Sequence, residues 1–238
     1  MYKAIENIRL LLGGQSAILA QRWFERAQEI TKANRVFQRV ASTKDKEQLL
    51  DYLAEIRYAL LFVGFGFEVE FEPAGNRGAD LGIMRDGEKA VVEIMRFRKI
   101  NSGLPLLNLE DENLILPEYG NIPRDVRKAF DKILAKFRQI ENRKGIIAIW
   151  NDDEELEEVE TATAVYDIRN DVKKGLLAIP NGLLFALYGS KWIGSQHKQL
   201  YCFSFQNLDQ PFESWKTEIE KADVFSTIER ALSRAKSL

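Results

Sequence analysis

Asp80 and Glu93 are the residues whose types and spacing could do chemistry. Two short apolar runs, Leu81-Gly82-Ile83-Met84 and Ala90-Val91-Val92, lie between them on either side of Asp86-Gly87, a dipeptide suited to a two-residue hairpin turn that needs positive φ. With that turn, Arg85 faces Glu88, Met84 faces Lys89, Ile83 faces Ala90 and Gly82 faces Val91, and counting outward sets Asp80 opposite Glu93. Side chains paired in this way stand about 4.5–5.5 Å apart at Cβ, and like charges placed there destabilise a sheet. Two facing carboxylates call for a counter-charge, and a divalent cation is the best one. One histidine (His197) and one cysteine (Cys202) leave carboxylates and water to hold a metal, which favours magnesium or manganese.

The other chemistry-bearing residues are weaker candidates. Glu55 sits in a stretch that is apolar nearly all round, where a carboxylate is costly without a partner. His197 lies among Ser195, Gln196 and Lys198 and reads as a surface histidine. Cys202 lies in an apolar run, where cysteine behaves as a small hydrophobe. Trp192 beside Lys191 could stack on a base, although packing explains it as well. There is no phosphate-binding P-loop, dinucleotide fingerprint or serine-hydrolase elbow.

The elements that must position the carboxylates follow from periodicity. Residues 2–12 predict a helix ending at Gly13-Gly14, and Ser16 reads as the cap of a second helix reaching about Val40. Together they form an N-terminal helical extension, residues 1–43. Ser42 to Glu47 carries capping residues, with Thr43 and a Glu behind it, and opens a helix that runs to Gly64-Phe65-Gly66. Phe67, Val69 and Phe71 alternate with Glu68, Glu70 and Glu72, the mark of a strand with one wet face, and Pro73 ends it. The Asp86-Gly87 hairpin follows, then an irregular segment over residues 99–123 long enough to be a lid or binding loop. Pro123 to Ile140 predicts a helix burying Val126, Phe130, Ile133, Phe137 and Ile140, and Ile146 to Trp150 a strand buried on both faces. The acidic stretch beyond reads as a loop or the solvated start of a helix, residues 183–188 and 200–205 as two more strands, and residues 212–236 as a final helix. The expectation is an α/β fold with a mixed sheet, in which residues 44–238 form one domain with its core at 44–150.

This order of elements, with Ala54-Glu55 in the first helix, Gly78-Ala79-Asp80-Leu81 opening the second strand and Val91-Val92-Glu93-Ile94-Met95 in the third, resembles the PD-(D/E)xK nuclease superfamily. The resemblance covers roughly residues 44–150 and implies a restriction-endonuclease-like αβββαβ core with a mixed sheet, flanked by N-terminal and C-terminal helices. It implies magnesium (or manganese) held by Asp80, Glu93 and the backbone carbonyl of Ile94, with Glu55 anchoring a second metal or a water. It also implies a lysine that assists the attacking water and DNA as the partner. The family's lysine position is occupied by Met95. On a strand Met95 shares the face of Glu93 but cannot orient water, and Arg96 and Arg98 alternate to the other face. Lys89 is on the right face yet about 13 Å away. Lys136, beside the buried stripe of the next helix, is the better substitute, as in relatives whose lysine has moved there; Lys132 is a weaker one.

Bulk properties bound the alternatives. The chain has 238 residues, 45% hydrophobic and 29% charged, ordinary for a globular protein. One cysteine excludes an internal disulfide, no apolar run suits a membrane span, and the first residues lack a signal-peptide layout, so a cytoplasmic location is expected. The net charge of −2 hides an uneven spread: residues 124–144 carry eight Lys/Arg against three Asp/Glu, and residues 1–41 seven against three. Such clusters suit phosphate contacts or simply a solvated face. Three functions fit: a magnesium-dependent DNA endonuclease; a catalytically inactive nuclease-fold protein that binds nucleic acid or a protein partner, which Met95 favours; or an oligomeric protein, such as a homodimer, joined through its N-terminal helices. A salt bridge from Glu93 to Arg57 or Arg77 and a merely solvated Asp80 would account for the pair without any metal.

Overall fold

The computed structural model describes residues 1–75, 78–98, 122–140, 142–151, 158–190 and 200–233. Arg77, most of the irregular 99–123 segment, the acidic residues 152–157, Trp192 and His197 lie outside them. The described residues form an α/β fold of eight helices and a six-stranded mixed sheet. Helices α1 (Tyr2–Leu12), α2 (Gly14–Ala27), α3 (Ala33–Ser42) and α4 (Lys46–Gly64) lead into β1 (Glu68–Phe71), β2 (Leu81–Arg85) and β3 (Glu88–Phe97). Then follow α5 (Ile122–Ile140), β4 (Gly145–Asn151), α6 (Glu158–Lys173), β5 (Leu183–Ser190), β6 (Tyr201–Ser204), α7 (Gln210–Lys221) and α8 (Val224–Ser233).

The sheet runs β1-β2-β3-β4-β5-β6. Asp86 (φ 55°) and Gly87 (φ 83°) both take positive φ, as a two-residue hairpin turn of this type requires, and the β2–β3 rungs are those counted from it, Arg85 with Glu88 through Gly82 with Val91. Strand β4 is buried along its whole length and pairs in parallel with β3 and β5, which explains its unbroken apolar run. The sheet separates two cores. One packs α1–α4, α7 and α8 against one face; the other packs α5 and α6 against the opposite face. The N-terminal extension therefore shares a core with α4 and the sheet rather than standing apart.

Several elements differ from expectation for identifiable reasons. The single helix expected from Ser16 to Val40 is two, α2 and α3. The chain leaves the helix so that Thr31 bridges Glu70 and its carbonyl accepts from Phe71 N–H at 3.0 Å, covering part of the β1 edge. Lys32 takes φ 63° there, and Ser16 lies inside α2 with its hydroxyl donating to the Leu12 carbonyl. Within the Ser42–Glu47 stretch it is Asp45 that caps α4, accepting from Gln48 N–H at 2.9 Å, as the capping residues there led one to expect. The expected final helix is also two, because the Asp223 carboxylate accepts from Ser226 N–H at 2.7 Å and starts α8 anew. Helix α6 follows where the acidic stretch left loop and helix undecided. Glu72, expected on a wet face, is buried.

Helix α8 clamps the far end of α4. A Cβ at Gly64 would meet the Thr227 carbonyl at 2.2 Å, so only glycine allows this approach, and Arg230 reaches the Gly64 carbonyl at 3.4 Å. No helix among the described residues is long and apolar enough to cross a membrane.

Candidate carboxylate site

The site forms where β2 stops and β3 continues. The last β2–β3 rung joins Leu81 to Val92, whereas β3 runs on to Phe97, paired to β4 as far as Phe97 with Asn151. On its other side no described strand pairs with residues 93–97. Asp80 stands one place past the last rung, and its Oδ2 takes the free edge instead, accepting from Ile94 N–H at 2.8 Å. The Asp80 carbonyl is held in turn by Glu72 N–H at 2.8 Å. Since the N–H and C=O of a strand residue project to the same side, the Ile94 carbonyl faces the same open edge.

Helices close on this edge from both faces of the sheet. From α5, Lys136 Nζ meets Glu93 Oε1 at 2.6 Å, and Gln139, turned with its amide nitrogen inward, donates to the same carboxylate. From α4 comes Glu55, bonded to Arg39 of α3 at 2.5 Å. Glu93 is 1% exposed at its side chain and Lys136 28%, so the lysine keeps one side open to a cleft of about 510 Å³ between α4 and α5. Glu55, Asp80, Glu93, Ile94 and Lys136 all line that cleft. The sequence-derived candidates thus converge in one place.

Burial raises the proton affinity of all three acids. The Glu55 carboxyl is pushed up to about 8 by burial first and the Asp80 charge second, with Arg39 opposing. Glu93 is pushed up to about 8 by burial and by Asp80, with Lys136 opposing. Asp80 is raised by burial against the Ile94 hydrogen bond, which lowers it. With no cation bound, the folded chain therefore takes up protons at Glu55 and Glu93 more readily than the unfolded chain does. Stability from this source is complete below the unfolded value and is lost as pH rises through about 8. Denaturant midpoints measured in chelator should therefore fall from pH 6 to pH 9, and Glu93→Gln should flatten the profile.

Among the described residues no group of three or more His, Cys, Asp or Glu side chains is arranged to hold a metal ion. Glu55 is turned to Arg39 and Glu93 to Lys136. Magnesium, however, is held through one or two carboxylates, with waters and substrate phosphates completing its shell. Asp80, Glu93 and the Ile94 carbonyl offer hard oxygens of that kind at adjoining positions, so the donor set fits that ion.

Sequence reasoning missed three participants. Arg39 and Glu72 form an ion pair at 3.2 Å beside Glu55, and Gln139 joins Lys136 at Glu93. The i, i+3 spacing of Lys136 and Gln139 was the one available signal. Glu93 pairs with Lys136 rather than Arg57, which stacks on Trp150 at 3.7 Å. Met95 is buried with Phe97 in the core under α5, and Lys132 lies 5.0 Å over the Phe97 ring. Cys202 is buried and its thiol is pushed up by that burial, as a small hydrophobe's would be. Comparison with family models, curated proteins and solved structures found no match for the chain.

Proposed function

We propose that the chain is a magnesium- or manganese-dependent endonuclease with a restriction-endonuclease-like core, hydrolysing phosphodiester bonds of DNA. The observation that carries this is Lys136 Nζ set 2.6 Å from Glu93 in the cleft that also holds Asp80 and Glu55. A cation from α5 stands where Met95 can offer none. The succession α4, β1, β2, β3, α5, β4 agrees with the helix–strand–strand–strand–helix–strand order of that core.

In this scheme Asp80, Glu93 and the Ile94 carbonyl would hold the ion. When bound, it supplies Lewis-acid neutralisation of the phosphate and acidifies the attacking water. Lys136 orients that water and balances the charge growing on the phosphoryl oxygens. Glu55 fixes a water on the α4 side. Lys128, Lys132 and Lys136 recur every four residues on one side of α5, and such a row suits successive phosphates of a strand.

A second assignment, a nuclease fold that binds nucleic acid or a protein partner without cutting, is favoured by Met95 and by the ion pairs that already satisfy Glu55 and Glu93. Incubation with supercoiled, branched and single-stranded DNA in magnesium or manganese, against the same reaction in chelator, separates the two. Cation-dependent cleavage is expected. Salt-sensitive binding with no cleavage on any substrate would transfer the assignment to the second.

A further inference from the structure

We infer that Arg39 is a positioning residue for Glu55, so that the N-terminal helical layer completes the site; the inference rests on the nuclease proposal above. Arg39 lies outside the αβββαβ core, on α3, yet its Nη2 bridges Glu55 Oε2 at 2.5 Å and Glu72 Oε1 at 3.2 Å. Its guanidinium lies over the Tyr52 ring at 4.7 Å, which fixes the plane of the group and so the position of Nη2. Glu72 in turn is held from its other oxygen by Arg35 at 3.3 Å.

The geometry at Glu72 ties this pair to the rest of the site. Glu72 takes φ 44°, a left-handed conformation that non-glycine residues adopt rarely and at a cost. That conformation accompanies two contacts at once: its N–H donates to the Asp80 carbonyl, and its buried carboxylate faces Arg39. One strained residue thus links Asp80 through its backbone and Glu55 through Arg39. Glu55 has several rotatable bonds and repels Asp80, and among the described residues Arg39 is the side chain that bonds its carboxylate. With Arg39 in place, the Glu55 side chain stands at 8% exposure on the cleft wall, while Arg39, 31% exposed, supports it from behind without lining the cleft itself.

An ion pair that only stabilised the fold would leave turnover per folded molecule unchanged, and this separates the two roles. Steady-state cleavage should be measured for wild type, Arg39→Ala, Arg39→Lys and Glu72→Gln, each checked for folding by circular dichroism. Arg39→Ala is expected to lose about 100-fold in kcat with KM for DNA within about threefold, the usual consequence of a misplaced group. Arg39→Lys, which keeps the charge and loses the planar guanidinium that lies over Tyr52, should recover about tenfold of that loss. Glu72→Gln should fall between wild type and Arg39→Ala. Wild-type kcat in folded Arg39→Ala, or a loss confined to KM, would overturn the inference and leave the nuclease proposal standing. If Arg39→Ala does not fold, Arg39→Lys and Glu72→Gln decide, and wild-type kcat in both overturns it. A wild-type chain that cleaves nothing overturns the nuclease proposal first and this role with it.

Discussion

Asp80→Asn is expected to abolish cleavage, by about 1000-fold or more, while leaving the fold intact. The amide is isosteric and retains an oxygen to accept from Ile94 N–H, the hydrogen bond that ties Asp80 to the free edge of β3. What it loses is a negative charge at the junction of Glu55 and Glu93. A cation site that forfeits one of its two carboxylates gives up several kcal/mol of transition-state stabilisation, and each 1.36 kcal/mol is a factor of ten. The same loss relieves repulsion, because the Asp80 charge raises both Glu55 and Glu93. The variant should therefore unfold at higher denaturant than wild type at pH 8, in chelator. Loss of activity together with gain of stability marks a group kept for function. An active Asp80→Asn enzyme would remove the cation site from the proposal.

Lys136→Met is the second large effect, expected at about 100-fold or more in kcat, within the range for a group that assists proton transfer. Lys136 is the cation paired with Glu93, so its removal also leaves a carboxylate at 1% exposure without that partner. Its proton affinity should rise further and its stability contribution at high pH should shrink. The informative variant is the double, Met95→Lys in the Lys136→Met background. Met95 lies two residues along β3 from Glu93, on the same face and buried under α5, so a lysine there returns an ammonium to the same carboxylate. A recovery of about tenfold is expected, short of full because the site at residue 95 is packed with apolar neighbours. Wild-type rates in Lys136→Met would show that the lysine does no more than neutralise Glu93.

The hairpin was the most legible part of the site, for a local reason. Asp86 and Gly87 have few ways to turn, and once the turn is set the strand period of two fixes every rung from Leu81 to Val92. The buried strand β4 and the stripe of α5 were legible because apolar periodicity reports burial directly. The helix breaks at residues 28–32 and 222–223 were not. Each is imposed or sharpened by a nearby partner: Thr31 is drawn to the β1 edge, and Asp223 caps a helix that packs on Gly64.

The charge partners divide along the same line. Sequence alone counted Asp80 opposite Glu93, but the ladder ends one rung earlier, at Leu81 with Val92, and Asp80 turns to the Ile94 N–H instead. The sequence showed that Glu55 sat in too apolar a helix to be without a partner. It also exposed the missing lysine at residue 95. It could not pair Lys136 with Glu93 across 43 positions, although it proposed the lysine, nor find Arg39 for Glu55, which comes from a helix whose start depends on the Thr31 contact. Glu72 misled because alternation predicts the face of a side chain but not what covers that face, and here α3 covers it with Arg35 and Arg39. Turn chemistry and strand period act over a few residues and are written in the chain. The charges that surround the carboxylates are set by how α3, α4 and α5 pack over the end of the sheet, and only the tertiary structure decides that.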